Sequence, residues 1–427
     1  AAVLLASLVL VPVAFIVPDR LQPRPTDNEA AYQFYLRADE YETTGRVEVA
    51  DTLYRRAIVL DPNFALARAR LAALLINNNG PRPSDAIVTE AGRHAQQALQ
   101  TVPKLAIAHF AMGRYWQQHN DHRRALQAFE HARKGMKKES LVYASIGTSY
   151  RSLGEWDRAV QAFEKAIELD PQNVSYLPSL AMTYSRVRKY QAAQRTWTRY
   201  IEFTPDAYWA MLIKGHTFVR SDGTADTLGA VLRRIPADWD ANGMVTFARV
   251  GLARLQRRPQ DALTALANSK HDVSEDDMLL RPRTLMRAWA YEDMDSLARA
   301  RANYDSARVM VDEMLARHLG DPRLHIAQAF ALAGLGQKDA AMRAAEQAMA
   351  LRPLSANIVA ATCNMGSAAE VFAYLGENER AIALLDQLLR LPAGREASVP
   401  LLRVEPAYQK LRADPRFQAL LARHSKS

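Results

Sequence analysis

The 427-residue chain contains one cysteine. That excludes a disulfide framework, a cysteine-ligated zinc site and an iron–sulfur cluster. Glycine and proline are few, 18 and 20 residues, while apolar residues make up 49%. Collagen-like, mucin-like and fully disordered classes are therefore excluded. Lysine is scarce too, supplying 11 of 55 basic residues. The arginines that make up the rest are spread along the chain, which fits a coding bias better than a nucleic-acid patch. The net charge of +9 speaks to solubility and non-specific contacts, not to fold. No nucleic-acid partner is expected. A prior of roughly 150 residues per domain would suggest about three domains.

What is present begins with an apolar run, Ala1 to Val17, broken only by Ser7 and Pro12. A membrane-spanning helix takes about 20 apolar residues, with a lower limit near 17. The run is read as a transmembrane anchor (1–17). A signal-peptide core and a buried core segment are the rival readings. Residues 18–28, rich in Pro, Asp and Arg, read as a linker. The chain opens on Ala1, as expected of a fragment or a processed product.

The rest is periodic. From Ser140, the residues Tyr143, Ile146, Gly147, Tyr150, Ala159, Phe163, Ala166 and Pro171 fall at positions 4, 7, 8, 11, 20, 24, 27 and 32 of a unit. One unit on, Leu180, Ala181, Tyr184, Ala193, Trp197, Tyr200 and Pro205 fill those slots. One unit back, Met112, Gly113, Trp116, Ala125, Phe129 and Ala132 do so. The first unit gives Phe34, Ala38, Tyr41, Ala50, Tyr54, Ala57 and Pro62. A late one gives Ala329, Leu332, Ala341, Ala345, Ala348 and Pro353. Small residues at 8, 20 and 27 let two antiparallel helices approach closely. Large residues at 4, 11 and 24 fill the space between pairs, and the proline ends the second helix. One pair cannot bury its own apolar face, so pairs must stack.

These residues closely resemble the tetratricopeptide repeat (TPR), whose unit is about 34 residues. The resemblance implies an all-α solenoid of helical hairpins, a right-handed superhelix of roughly ten units. Residues 29–206 read as well-formed repeats, 207–282 as degenerate repeats ending in a hinge loop, 283–398 as C-terminal repeats and 399–427 as a cap. In the loop, Asp272, Glu275, Asp276 and Asp277 cluster. In the cap, Tyr408, Leu411, Phe417 and Leu420 are the residues expected to bury. The order of anchor, linker, repeats and tail is similar to the back half of bacterial membrane signalling proteins. Those carry a cytoplasmic serine/threonine kinase, adenylate cyclase or winged-helix domain ahead of the span. That resemblance implies an inner-membrane protein with periplasmic repeats.

No chemistry-bearing motif survives inspection. Gly334-Leu335-Gly336-Gln337-Lys338 falls at a helix–helix turn and not between a strand and a helix, so it is no phosphate loop. His122-Arg123-Arg124 lacks the catalytic Asp of a kinase. His119 and His122 read as a solvated turn rather than a metal pair. Cys363 has no activating neighbour in sequence. The basic run from His131 to Lys138 closes a second helix, where cations suit the helix dipole. Asp222, Asp226, His271 and Asp272 are too scattered for an acid–base site. The expected protein is non-catalytic, without cofactor or metal.

What remains is the TPR groove, lined in the family by positions 2, 5, 9, 12 and 13. Carried over, these are Tyr32, Tyr35, Asp39 and Glu42 in the first unit, then Phe110, Arg114 and Gln117 in the third. Arg151 and Arg186 follow in the fourth and fifth. Arg114, Arg151 and Arg186 are expected along one wall, where guanidinium groups suit an acidic, carboxylate-bearing peptide. The expected function is a scaffold or sensor arm that binds a protein or peptide; a free-standing TPR protein of envelope assembly is the alternative.

Overall fold

The computed structural model describes residues 25–425, apart from 79–82, 237 and 277. The predicted anchor, most of the linker, the tip of the Asn77–Pro83 insertion and Asp277 lie outside the described residues. Among the described residues, no helix is long and apolar enough to cross a membrane.

The described chain runs as ten helix pairs in sequence order. They are α1 (Glu29–Thr43) with α2 (Val47–Leu60), α3 (Ala65–Asn78) with α4 (Asp85–Thr101), and α5 (Ala106–Gln118) with α6 (His122–Gly135). Next come α7 (Ser140–Leu153) with α8 (Trp156–Leu169), α9 (Leu177–Arg186) with α10 (Tyr190–Phe203), and α11 (Tyr208–Asp222) with α12 (Asp226–Arg234). Then follow α13 (Met244–Leu255) with α14 (Pro259–Ala267), and, after strands β1 (Val273–Glu275) and β2 (Leu280–Pro282), α15 (Arg283–Glu292) with α16 (Leu297–Leu315). The last pairs are α17 (Pro322–Gly334) with α18 (Lys338–Leu351) and α19 (Ile358–Tyr374) with α20 (Asn378–Arg390). A short α21 (Val399–Val404), a 3₁₀ stretch (Pro406–Ala413) and α22 (Pro415–His424) end the chain.

Two compact units divide the chain, one reaching Tyr115 and the other starting at Trp116. In both, the repeat slots do what their sizes dictate. Ala38, Ala50, Ala57, Ala159, Ala166, Ala181 and Ala193 are fully buried where two helices close on each other. Position 24 holds a buried ring in the pairs that carry Tyr54, Phe129, Phe163, Trp197 and Tyr304. Where that ring is tyrosine, position 12 is glutamate. The hydroxyl of Tyr54 donates to Glu42 at 2.6 Å, and that of Tyr304 donates to Glu292 at 2.6 Å. A buried hydroxyl without an acceptor would be costly, so the two slots vary together.

The turn inside eight of the ten pairs is equally regular. A residue in the left-handed region breaks the first helix, and the next amide donates back to the carbonyl of position 11. Examples are Glu155 to Tyr150, Lys189 to Tyr184, Ser296 to Tyr291 and Gln337 to Leu332, all at 2.9 Å. This six-to-one bond is the usual helix stop. Gly154, Gly336 and Gly376 take the left-handed position in some pairs, while Asn120, Arg188, Arg257 and Asp295 take it in others. Gly334 has a packing reason: a Cβ there would come within 2.4 Å of the Tyr304 ring.

The loop expected to be a hinge carries a strand pair bonded to other repeats. β1 and β2 pair antiparallel, with Ser274 opposite Arg281. Ser274 Oγ donates to Gly243 O at 2.8 Å, and Arg323 donates to Asp276 O at 2.6 Å. These bonds tie the hairpin to the start of α13 and to α17. At the end of the chain, Tyr408, Leu411, Phe417 and Leu420 are buried in one core with α17 to α20. Asp414 caps α22 through the Arg416 amide at 2.9 Å, with Pro415 as the first helical residue.

Candidate functional site

In the second unit the first helices face inward, and the repeats close on themselves. α7 meets α19, six pairs further along the chain, and the ideal Cβ of Gly154 would sit 3.4 Å from Ile358. The strip from Leu391 to Ser398 then crosses the inner surface of α9 and α11. Gly394 N donates to Arg186 O at 2.8 Å, and Tyr190 OH donates to Gly394 O at 2.8 Å. Arg188 donates to Leu391 O, Leu388 O and Ala397 O at 2.8, 2.9 and 3.2 Å. Arg220 Nε donates to Arg395 O at 2.8 Å, and Ser398 Oγ donates to Arg220 O at 2.6 Å. A Cβ on Gly394 would stand 2.4 Å from Ser185 O, so only glycine passes there.

This closure changes the reading of the groove residues. Arg186 is 2% exposed and donates to Glu396 Oε2 and Thr362 Oγ1, both at 3.1 Å. Its charge is spent inside the unit, because a buried guanidinium must be paired. Arg151 donates to Ser179 O at 3.4 Å and lies 5.6 Å from the Phe163 ring centre. Burial, with Arg186 and Arg395 nearby, lowers its pKa to about 10. Gln117 is buried and donates to Ser145 O at 2.9 Å and Ser149 Oγ at 2.8 Å, bonding to α7 rather than lining open space. In the first unit, Phe110 is 2% exposed. Tyr35 is buried between Tyr54 and Phe64, with ring centres 5.9 and 5.3 Å away. Tyr32 is half-buried and stacks on Tyr35 at 6.3 Å. Asp39 pairs with Arg70 at 3.1 Å. Arg114 is half-buried, with its pKa lowered by burial. Arg186, expected on an open arginine wall, therefore lies under the chain's own C-terminal strip.

Behind the strip lies a cavity of about 270 Å³. A smaller one of about 120 Å³ shares His216, Arg220, Arg281 and Arg395 with it. Arg254 also lines the larger space and is bonded to Asp293 at 2.7 Å. Carboxylates line it as well. Glu292 accepts from the hydroxyls of Tyr304 and Tyr374 at 2.6 and 2.8 Å. Burial and the neighbouring Glu405 push Glu370 up to about 7. Glu405 is raised for the same primary reason, burial. Burial, with Arg220 and Arg395, drives His216 down to about 3, so its imidazole is neutral. Cys363 is pushed up to about 12 by burial and is a thiol, not a nucleophile.

His122, expected in a solvated turn, is buried at the start of α6. Burial and Arg151 lower its pKa. No group of three or more His, Cys, Asp or Glu suited to a metal occurs among the described residues. Sequence reasoning passed over Arg188, Gly394, Arg395 and Glu396. One signal was there: Arg188 stands in a turn slot where other repeats carry glycine.

Tetratricopeptide-repeat family models match residues 140–173 and 34–64. The chain thus contains tetratricopeptide repeats within a fold built of helix pairs. No curated protein matches it. Among solved structures it is similar to the MamA protein, at 20% identity and a TM-score of 0.32, over 41% of this chain and 91% of that one. A thermophilic TPR protein of Thermus thermophilus matches at 16% identity and a TM-score of 0.36, over 44% of this chain and 100% of that one. YrrB, titled a TPR protein with an unusual peptide-binding site, matches at 18% identity and a TM-score of 0.34, over 44% of this chain and 92% of that one.

Proposed function

We propose that the chain is a non-catalytic scaffold that binds a protein or peptide through its repeats. The observation that carries this is the run of ten helix pairs on TPR slots, two segments of which match the family. Stacked hairpins present a long surface and no scissile-bond machinery of their own. Because the strip Leu391–Ser398 covers α9 and α11, the groove candidates that stay are the half-exposed Tyr32, Asp39 and Arg114 of the first unit. An acidic peptide suits Arg114. The test is crosslinked capture from cell extract with the full chain, with Arg114→Glu and with Val59→Ser, the latter at a second-helix position 75% exposed. A partner retained by Val59→Ser and lost by Arg114→Glu supports the groove. A partner retained equally by both variants rules it out.

We also propose that the apolar run Ala1–Val17 tethers the repeats to a bacterial inner membrane, on the periplasmic side. In that setting they serve as the sensor arm of a protein with a cytoplasmic kinase, cyclase or winged-helix domain. The layout of run, linker and repeats supports this reading. An alkaline-phosphatase fusion at the C-terminus should be active, and removing residues 1–17 should release the protein from membranes. An inactive, membrane-bound fusion reverses the orientation.

A further inference from the structure

Buried charges are ordinarily paired, because an unpaired ion away from water is costly. The cavity in the second unit departs from that rule for both signs. Arg281 is 4% exposed, yet it donates only to the neutral oxygens of Leu280 O at 3.1 Å and Ser367 Oγ at 3.2 Å. Arg220 donates to a carbonyl, and Arg395 reaches only Met182 Sδ, at 3.8 Å. Among the described residues, none of the three has a carboxylate at ion-pair distance. Glu370 and Glu405 line the same space, again without an ion pair among the described residues. The other charges there are committed. Glu396 holds Arg186, Arg254 holds Asp293, Glu292 accepts from two tyrosines, and Asp276 accepts the amides of Met278 and Leu279. What is left over is a group of cations and a pair of acids facing one space.

Phe247, Trp289 and Leu401 supply much of the apolar lining. The volume, about 270 Å³, is just below the usual range for drug-sized ligand sites, about 300–1,000 Å³. A metabolite fits and a peptide does not. A simple anion would satisfy the guanidinium groups and leave the acids unmatched; a simple cation would do the reverse.

We infer that this cavity binds a small zwitterion with an apolar body, of the size and chemistry of an apolar α-amino acid. Its carboxylate sits among Arg220, Arg281 and Arg395. Its ammonium meets Glu370 and Glu405, and its side chain lies against Phe247 and Trp289. The site is internal to the second unit and does not depend on the scaffold reading.

Isothermal titration calorimetry of the full chain tests this with L-leucine and L-phenylalanine. Phenylpropionate, which lacks the ammonium, and phenethylamine, which lacks the carboxylate, are the paired probes. At least one amino acid should bind at one site, with both truncated probes weaker by roughly tenfold or more, since each leaves a buried group unmatched. Glu370→Gln, which keeps the shape of the side chain, should weaken the amino acid about tenfold. Arg281→Lys, checked for fold by circular dichroism, should weaken it as well; if that variant does not fold, Glu370→Gln alone decides. No heat from either amino acid overturns the proposal. So does a truncated probe that binds as tightly as its parent, or full affinity in Glu370→Gln.

Discussion

Arg188 shows how one residue can be strained locally and needed globally. Its φ of +60 is a conformation that costs a non-glycine residue roughly 1–2 kcal/mol. Its guanidinium holds three carbonyls of the returning strip. Such strain persists only where the surroundings fix it. Arg188→Gly would relieve the backbone and lose the three bonds. Charged hydrogen bonds contribute about 1.5–3 kcal/mol each, so the bonds outweigh the strain. We expect a net destabilisation of about 2.5–8 kcal/mol by urea denaturation. A variant as stable as the parent would show that the strip is held by packing alone.

Glu370 gives a pH prediction at the same scale. Its pKa rises from 4.5 to about 7 in the folded chain. The folded state therefore holds this proton more tightly than the unfolded chain does. The resulting stability is fully present below about pH 4.5 and is lost as pH rises through about 7. His216, lowered from 6.5 to about 3, contributes oppositely: its stability is present above about 6.5 and is lost as pH falls through about 3. The difference between wild type and Glu370→Gln isolates the carboxyl. The variant should gain on wild type as pH rises from about 5 to about 8, read as melting temperature across that pH series. Parallel curves would mean that Glu370 ionises normally in the fold.

Among the elements, the strip Leu391–Ser398 is the decisive one, and Gly394 is its narrowest point. A side chain there meets Ser185 O, Arg188 and the Tyr190 hydroxyl. Gly394→Val should lift the strip while leaving the helix pairs intact. The measurement is amide exchange: faster exchange at residues 391–398 with unchanged protection in α17 and α18. Uniformly faster exchange across the unit would mean that the strip cannot be separated from the fold. The β1–β2 hairpin teaches the same lesson. Its acidic, irregular sequence reads as a loop, and what it contacts is set by backbone pairing and by the bonds of Ser274, Arg281 and Arg323 to three other elements.

For the molecule as a whole, the question is how far the repeats act together. An open array of repeats unfolds as a chain of neighbours, each coupled only to the next. In the second unit, α7 also touches α19, and Arg186 bonds to Thr362 and Glu396 across a gap of 176 and 210 residues. These long-range bonds should make that unit unfold as one. Arg186→Met strands a buried Glu396 and should cost about 3–5 kcal/mol. It should also broaden the unit's denaturant transition, seen as a lower m-value. A sharp transition with an unchanged m-value would mean that closure does not supply the cooperativity.

The sequence by itself determined that the chain is built of stacked helix pairs and which slots they bury. Alanine slots such as Ala159 and Ala193, and ring slots such as Phe163 and Trp197, act between adjacent helices, so their spacing is written locally. It could not show which groove residues stay open. The carry-over placed Arg186 on a binding wall, whereas the fold spends it on Glu396, 210 residues away. The cavity is illegible for the same reason. Arg220, Arg281, Glu370 and Arg395 come from four separate elements, and no spacing rule links them. Only the closing of α7 on α19 and the return of Leu391–Ser398 bring them together. Local contacts are fixed by repeat position; the inside of the ring is fixed by how the repeats curve and where the chain turns back.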